Sequence, residues 1–164
     1  GNLPYNIATA IIEKFLHCGL PVHDMAFMVQ AEVAQRITAE RGSRQYGYLS
    51  VHCQHHSSVQ IGFKVPPSCF VPRPKVNSAM VSLKPGTDSR DPGFEADFGA
   101  VVKAAFSHRR KTLLNSLGLH PAFSADAKLL LHHVGIDGAR RAESLSIAEF
   151  EALARVYNAR FQSA

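Results

Sequence analysis

The sequence lacks the features that would place it in a membrane or in an oxidising compartment. No apolar run approaches the roughly 20 residues that a membrane-spanning helix needs. Residues 1–5 contain no basic region followed by an apolar core, so no signal peptide is predicted. The 3 cysteines, Cys18, Cys53 and Cys69, include no Cys-x-x-Cys pair. These absences exclude a disulfide scaffold and a zinc ribbon, and they predict a cytoplasmic protein with buried, reduced cysteines.

Acidic residues are missing from two long stretches of the chain. The sequence has 18 Lys and Arg against 13 Asp and Glu, a formal net charge of +5. No acid lies between Glu40 and Asp88 or between Asp97 and Asp126, although both stretches contain basic residues. They could form one positive surface for a polyanion or several unrelated solvated surfaces. Charge alone leaves both interpretations open.

The first part of the chain has the pattern of an α/β layer. A continuous apolar run at 25–29 predicts a strand that is buried on both faces and parallel to its neighbours. Alternating residues at 59–65 and 76–83 predict two further strands, joined as an antiparallel hairpin by the stiff proline-rich loop 66–75. Apolar periodicity predicts three helices, at residues 9–18, 31–41 and 48–56.

The second part is predicted to be entirely helical. Proline, glycine and polar residues at 84–93 are typical of a linker. Ser146 and Glu149 form a capping box in front of the last helix. Earlier helices are predicted at 98–106, 109–117 and 125–134. We therefore assign residues 1–84 to the α/β domain, 85–93 to a linker and 94–164 to a helical domain.

The tetrapeptide Asn2-Leu3-Pro4-Tyr5 has the residue types needed to present a nucleobase amine to an electrophile. The amide oxygen of Asn2 can accept one N–H bond of the amine. The carbonyl of Leu3, whose direction Pro4 restricts, can accept the other. Tyr5 offers a flat ring on which a flipped base can stack. Alone, the pattern is weak, because a strand end followed by a proline turn has the same residues.

Motifs along the whole chain resemble those of the ribosomal RNA adenine N6-dimethyltransferases. Segment 2–7 resembles the target-amine motif of that family, and Val-Pro-Pro-x-x-Phe-x-Pro-x-Pro-Lys-Val-Asn-Ser-Ala at 65–79 resembles its proline-rich motif. The remaining similar segments, in chain order, are 27–36, 46–51, 106–117 and 141–146. Several ordered matches are far more specific than any one of them.

The resemblance implies the C-terminal half of a Rossmann-like, S-adenosylmethionine-dependent methyltransferase sheet, followed by a small all-helical domain. The implied reaction is N6,N6-dimethylation of two adjacent adenines near the 3′ end of small-subunit rRNA, in the immature small ribosomal subunit, by a monomeric enzyme. Asn2 would orient the adenine amine and touch the methyl donor, with Leu3 and Pro4 supplying backbone. Tyr5 and Phe70 would sandwich the base.

Six basic residues are implied to hold rRNA phosphates: Arg73, Lys75, Lys103, Arg109, Arg110 and Lys111. For the last three, the alternative is simply an exposed helix start.

One feature departs from the family. Its glycine-rich donor loop and the acidic residue for the donor ribose precede the Asn-Leu-Pro-Tyr motif, which here begins at residue 2, and the chain contains no Gly-x-Gly-x-Gly. We therefore expect a portion of a longer enzyme that does not hold S-adenosylmethionine well by itself. Two alternatives remain: a non-catalytic RNA-binding or ribosome-assembly module, and a large-subunit rRNA methyltransferase of the macrolide-resistance type.

Clustered histidines suggest a rival interpretation. His52, His55 and His56 have helical i, i+3, i+4 spacing and could bind a metal ion. Further ligands could come from His17, Cys18, His132 and His133. No recognised ligand spacing is complete, and the family needs no metal. We therefore expect no metal and histidines that face solvent or RNA.

Overall fold

The computed structural model describes residues 1–17, 22–86 and 91–161. The chain divides into one unit of residues 1–40 and 49–87 and a second unit of residues 41–48 and 88–164. The sequence boundaries did not anticipate that 41–48 packs with the helical part. This segment is held there because the Gly42 amide donates to the Glu143 carbonyl at 2.8 Å and the Tyr46 hydroxyl donates to the Leu145 carbonyl at 3.1 Å.

The sheet of the first unit has three strands, β1 (Met25–Gln30), β2 (Ser57–Val65) and β3 (Ser78–Pro85), in the order β1-β3-β2. Both pairings are antiparallel, so the expectation that β1 is parallel to its neighbours is wrong for this sheet. A parallel contact occurs on the other edge of β1, where Asn2 forms an isolated bridge with Met28. The β2–β3 hairpin is as predicted.

Burial of the strands is more one-sided than the sequence indicated. In β1, Phe27 and Val29 are buried but Ala26 is exposed, so the strand is not covered on both faces. In β2, the apolar residues Ile61 and Phe63 are 44% and 69% exposed rather than half-buried. β2 is an edge strand with a register shift between Ile61 and Lys64, an irregularity of the kind that bends a strand locally.

Helices α1 (Ala8–His17), α2 (Ala31–Ile37) and α3 (Tyr48–His56) accompany the sheet. The core of the first unit includes Ile12, Val29, Ile37, Cys53, Val81 and Leu83. Helix α2 ends four residues earlier than the predicted 31–41, where the Thr38 hydroxyl donates to the Ala34 carbonyl at 3.0 Å. Cys53 is buried as expected, whereas Cys69 is exposed. The predicted end of the first helix, with Cys18, lies outside the described residues.

The described part of the second unit contains four α-helices: α4 (Pro92–Phe106), α5 (Leu113–Gly118), α6 (Ala127–Val134) and α7 (Ile147–Phe161). Asp91 caps α4, because its carboxylate accepts from the Phe94 amide at 2.8 Å. Gly135 ends α6 in the left-handed conformation, with φ of 70°. The linker predicted at 85–93 is shorter, since Pro85 belongs to β3 and Pro92 begins α4; residues 87–90 are outside the described part.

The helix predicted from Arg109 begins only at Leu113. Thr112 occupies the N-cap, and its hydroxyl accepts from the Asn115 amide at 3.4 Å. Residues 109–111 therefore form a turn between α4 and α5. Among the described residues, no helix combines the length and the apolar composition needed to cross a bilayer.

The capping box of α7 is present as predicted. The Ser146 amide donates to Glu149 Oε2 at 2.7 Å, and the Glu149 amide donates to the Ser146 hydroxyl at 3.2 Å. Arg140 adds a bidentate interaction with the Glu149 carboxylate. These bonds, led by the one from Arg140, lower the pKa of Glu149 to about 2. The start of α7 is thereby fixed by one carboxylate that serves both as cap and as ion-pair partner.

Candidate functional site

A cavity of about 300 Å³ opens where the N-terminal tetrapeptide meets the proline-rich loop. Its lining comprises Asn2, Leu3, Pro4, Tyr5, Phe70, Pro72 and Pro74. The structure thus brings together the five residues that sequence reasoning placed at the reacting base. Pro72 and Pro74 were not assigned to the site, although the proline-rich run was the signal that could have found them.

The backbone of the tetrapeptide is fixed at the edge of β1. The Leu3 amide donates to the Met28 carbonyl at 3.1 Å, and the Met28 amide donates to the Gly1 carbonyl at 2.8 Å. The Pro4 carbonyl then accepts from the Ile7 amide at 3.1 Å, which turns the chain into α1. Asn2, in the bridge itself, remains exposed at the cavity. A strand end followed by a proline turn is therefore the scaffold that presents the motif.

Tyr5 and Phe70 supply the two aromatic rings of the cavity. The Tyr5 hydroxyl lies 2.6 Å from the hydroxyl of Ser78, a fully buried residue at the start of β3. Phe70 follows a short 3₁₀ turn, Pro67–Cys69, and its amide donates to the Pro67 carbonyl at 3.2 Å. Both residues are half-buried, so part of each side chain remains accessible. Sequence reasoning missed Ser78 as a support for Tyr5, although it stands within the proline-rich motif.

The chemistry of the lining is that of a base-binding slot. Aromatic and proline side chains offer flat apolar surfaces, and Asn2 offers one side-chain amide. Neither a carboxylate nor an imidazole belongs to this lining. The described residues around the cavity can therefore bind and orient a planar group, but they supply no general acid or base beyond the Tyr5 phenol.

The six basic residues expected to bind RNA are all exposed. Arg73 and Lys75 belong to the first unit and alternate in sequence with the cavity residues Pro72 and Pro74. The second unit carries Lys103 on α4 and the run Arg109, Arg110 and Lys111 in the turn before α5.

Arg109 has a structural contact that the sequence did not reveal. Its guanidinium donates to the Arg44 carbonyl at 2.6 Å and to the Tyr46 carbonyl at 3.4 Å. It thereby helps to hold segment 41–48 on the second unit.

The histidines do not face solvent in the way that we expected. His52 and His55 are each only 4% exposed, because α3 is buried along much of its length. Burial, reinforced by neighbouring His17, lowers the pKa of His52 to about 4. The Nε2 atoms of His17 and His52 lie 3.0 Å apart. His132 and His133 belong to the other unit, and Cys18 is outside the described residues.

Comparison with known proteins identifies relatives of the chain. The family model described as "Ribosomal RNA adenine dimethylase" matches residues 1–159. "Ribosomal RNA small subunit methyltransferase A" from Magnetococcus marinus is 45% identical over 157 residues, covering 93% of this chain and 54% of the relative. The protein of the same description from Clostridioides difficile is 42% identical over 164 residues, covering 99% of this chain and 57% of the relative. The chain thus spans somewhat more than half the length of these curated relatives.

Solved structures agree with the sequence matches. A dimethyladenosine transferase from Plasmodium falciparum superposes with a TM-score of 0.82 and 25% identity, covering 98% of this chain and 66% of that one. The 23S rRNA methyltransferase ErmE shares the fold, with a TM-score of 0.63, 21% identity and coverage of 94% and 62%. The predicted fold class, part of an α/β methyltransferase followed by helices, is confirmed. From the match over residues 1–159, the chain belongs to the ribosomal RNA adenine dimethylase family.

Proposed function

We propose that this chain supplies the target-base pocket and part of the RNA surface of an rRNA adenine N6,N6-dimethyltransferase. The observation that carries the proposal is the joint lining of one cavity by Asn2, Leu3, Pro4, Tyr5 and Phe70. Its volume of about 300 Å³ is at the lower end of the roughly 300–1,000 Å³ range of small-molecule pockets, which suits a single flipped base.

The acceptor adenine is proposed to stack between Tyr5 and Phe70. In this position the Asn2 amide oxygen and the Leu3 carbonyl accept the two N6–H bonds of the adenine. These contacts favour a pyramidal nitrogen whose lone pair points at the methyl donor. Catalysis by this chain is then orientation of the acceptor amine, which agrees with a lining that has no carboxylate and no imidazole.

S-adenosylmethionine is the kind of methyl donor used by the methyltransferases to which this family belongs. The residues around the cavity do not form a complete site for it, because the lining includes no carboxylate to bind ribose hydroxyls. Among the lining residues, only Asn2 is proposed to touch the donor.

The proposed partner is small-subunit rRNA in the immature small ribosomal subunit, modified in the cytoplasm by a monomeric enzyme at two adjacent adenines near the 3′ end. Exposure of Arg73, Lys75, Lys103, Arg110 and Lys111 supports phosphate contacts at these positions. The names of the relatives, which are small-subunit methyltransferases, favour this substrate over large-subunit rRNA.

The test measures methyl transfer to isolated, unmethylated small subunits by the full-length gene product. Phe70→Ala removes one stacking surface, and Phe63→Ala is the matched control, because Phe63 is 69% exposed on β2 and absent from the cavity lining. Loss of one stacking contact, worth about 1–3 kcal/mol, corresponds to a roughly 5- to 150-fold lower rate at limiting substrate. Equal losses of methyl-transfer rate in the two variants would contradict the proposal that Phe70 stacks on the base.

A further inference from the structure

Three imidazole rings from two helices of the first unit form a compact cluster. His17 is the last residue of α1, while His52 and His56 lie one turn apart on α3. Their ring centroids are separated by 4.9, 4.7 and 4.9 Å. One ring nitrogen of each histidine lies within 4.8 Å of those of the other two. We propose that His17, His52 and His56 form a binding site for a divalent transition-metal ion, with Zn²⁺ as the best-matched ion.

The spacing of the nitrogens fits a tetrahedral ion with small adjustments. Zn–N bonds of about 2.0–2.1 Å place two ligand nitrogens of a tetrahedral site roughly 3.3–3.4 Å apart. The Nε2 atoms of His17 and His52 are 3.0 Å apart, slightly closer than this value. Even at the outer spacing of 4.8 Å, moving each ring by less than about 1 Å reaches the required geometry.

The chemical state of the rings suits coordination. Metal ions bind the neutral imidazole, through the lone pair of an unprotonated ring nitrogen. In the hydrogen bond between His17 and His52, one Nε2 atom carries the proton and the other accepts it. When both Nε2 atoms bind the ion, this proton must move to Nδ1 of the same ring, so that both Nε2 lone pairs face the ion. An all-imidazole set favours zinc, copper or nickel over magnesium or calcium.

The surroundings provide access and a nearby negative charge. His17 is exposed and His56 is half-buried, which leaves an entry route for the ion and a fourth position for water. Glu13, a carboxylate, lies one helical turn before His17 on α1. That charge partly offsets the charge of a bound cation.

The ion would have a structural consequence. It would join His17 to His52, which are 35 positions apart in sequence, and so close a loop that the unfolded chain leaves open. Binding to the folded state alone raises the apparent stability of the protein. This role requires no methyl transfer, so the proposal stands independently of the proposed function.

The first experiment titrates the metal-free chain, without a histidine tag, with ZnCl₂ in a calorimeter. One ion per chain is expected to bind and to raise the melting temperature. His17→Gln is expected to weaken binding at least about tenfold, as for disturbances of established metal sites. His133→Gln is the matched control, since His133 is exposed on α6 and outside the cluster, and it should bind like the unmodified chain. Absence of saturable binding, or equal affinity of the His17→Gln variant, would overturn the proposal.

A second measurement does not depend on how any variant folds. X-ray absorption spectroscopy of the zinc-loaded, unmodified chain counts imidazole ligands from their multiple-scattering signature. Three imidazoles support the site. Fewer than three would show that the histidines form only a hydrogen-bonded cluster and would restore the expectation, drawn from the sequence, of no metal.

Discussion

The hydroxyls of Tyr5 and Ser78 are hydrogen bonded at 2.6 Å, which links the N-terminal motif to the start of the central strand β3. Ser78 is completely buried, so its position is set by the core, whereas one side of Tyr5 faces the cavity. The bond therefore restrains the position of the Tyr5 ring, which is proposed to stack on the substrate base.

Removing this bond should impair methyl transfer less than removing the ring. Tyr5→Phe keeps the stacking surface and loses only the hydroxyl, at a cost of about 0.5–1.5 kcal/mol. Tyr5→Ala also loses the stack and should reduce the rate further, by about 1–3 kcal/mol. Single-turnover rates on small subunits compare the two variants. Equal rates would mean that Tyr5 acts only through its hydroxyl.

The basic turn before α5 should contribute to the salt dependence of RNA binding. Arg110→Gln and Lys111→Gln are each expected to reduce the slope of log affinity against log salt by about 1, because each change removes one phosphate contact. Filter binding at several salt concentrations measures the slope. Lys128→Gln, an exposed change on α6, is the control. A slope that falls as much in the control would show a general charge effect.

Arg109 should behave differently from Arg110. Arg109→Ala removes the donors to the Arg44 and Tyr46 carbonyls, so segment 41–48 should open more easily, by up to about 1 kcal/mol. Hydrogen exchange at the Gly42 amide reports this opening, because that amide is bonded to the Glu143 carbonyl. Arg110→Ala should leave the exchange unchanged. If both variants exchange at the same rate, Arg109 has no anchoring role.

Stability at acid pH should depend on Glu149. Its pKa of about 2 in the folded chain lies below its ordinary value of 4.5. The folded state therefore binds the proton less readily than the unfolded state, and the stabilisation present above pH 4.5 is lost as the pH falls towards 2. Urea unfolding at successive pH values measures this loss.

Glu149→Gln supplies the comparison for the acid titration. It retains the shape of the cap but cannot ionise, so its stability should be lower by about 1–2 kcal/mol near neutrality. The two stabilities should converge as the pH falls from 4.5 towards 2. A constant difference at every pH would indicate that the ion pair with Arg140 contributes nothing.

Sequence reasoning succeeded where local patterns decide structure. The capping box at Ser146, the end of α6 at Gly135 and the buried face of β3 all follow from short-range spacing. Prediction from the sequence failed where contacts between residues far apart in the sequence determine the structure. The apolar run of β1 predicts a parallel strand, and no local pattern indicates that β3 lies between β1 and β2 and pairs with both of them antiparallel.

The candidate site shows the same division. The tetrapeptide and the proline-rich loop were recognised by resemblance, and the structure brings both to one cavity. The support of Tyr5 by Ser78 and the anchoring contacts of Arg109 depend on side chains that meet across long sequence distances. The burial of His52 was missed because α3 shows no clear polar face: five of its nine residues are Ser, Gln or His, and the first three of these alternate with apolar ones.

Segment 41–48 belongs to the second unit, although it lies between the two parts of the first unit in the sequence. Cleavage of the chain at a single peptide bond therefore cannot separate the two units. A fragment that ends at Gly86 would still carry Tyr46, whose 2% exposure reflects packing against partners of the helical unit. A second fragment that begins at Asp91 would lack this aromatic residue and would expose the ring of Phe106, whose centroid lies 6.1 Å from that of Tyr46 in the intact chain. Mixed together, the two pieces are expected to reassociate, because the first carries segment 41–48, which belongs to the helical unit.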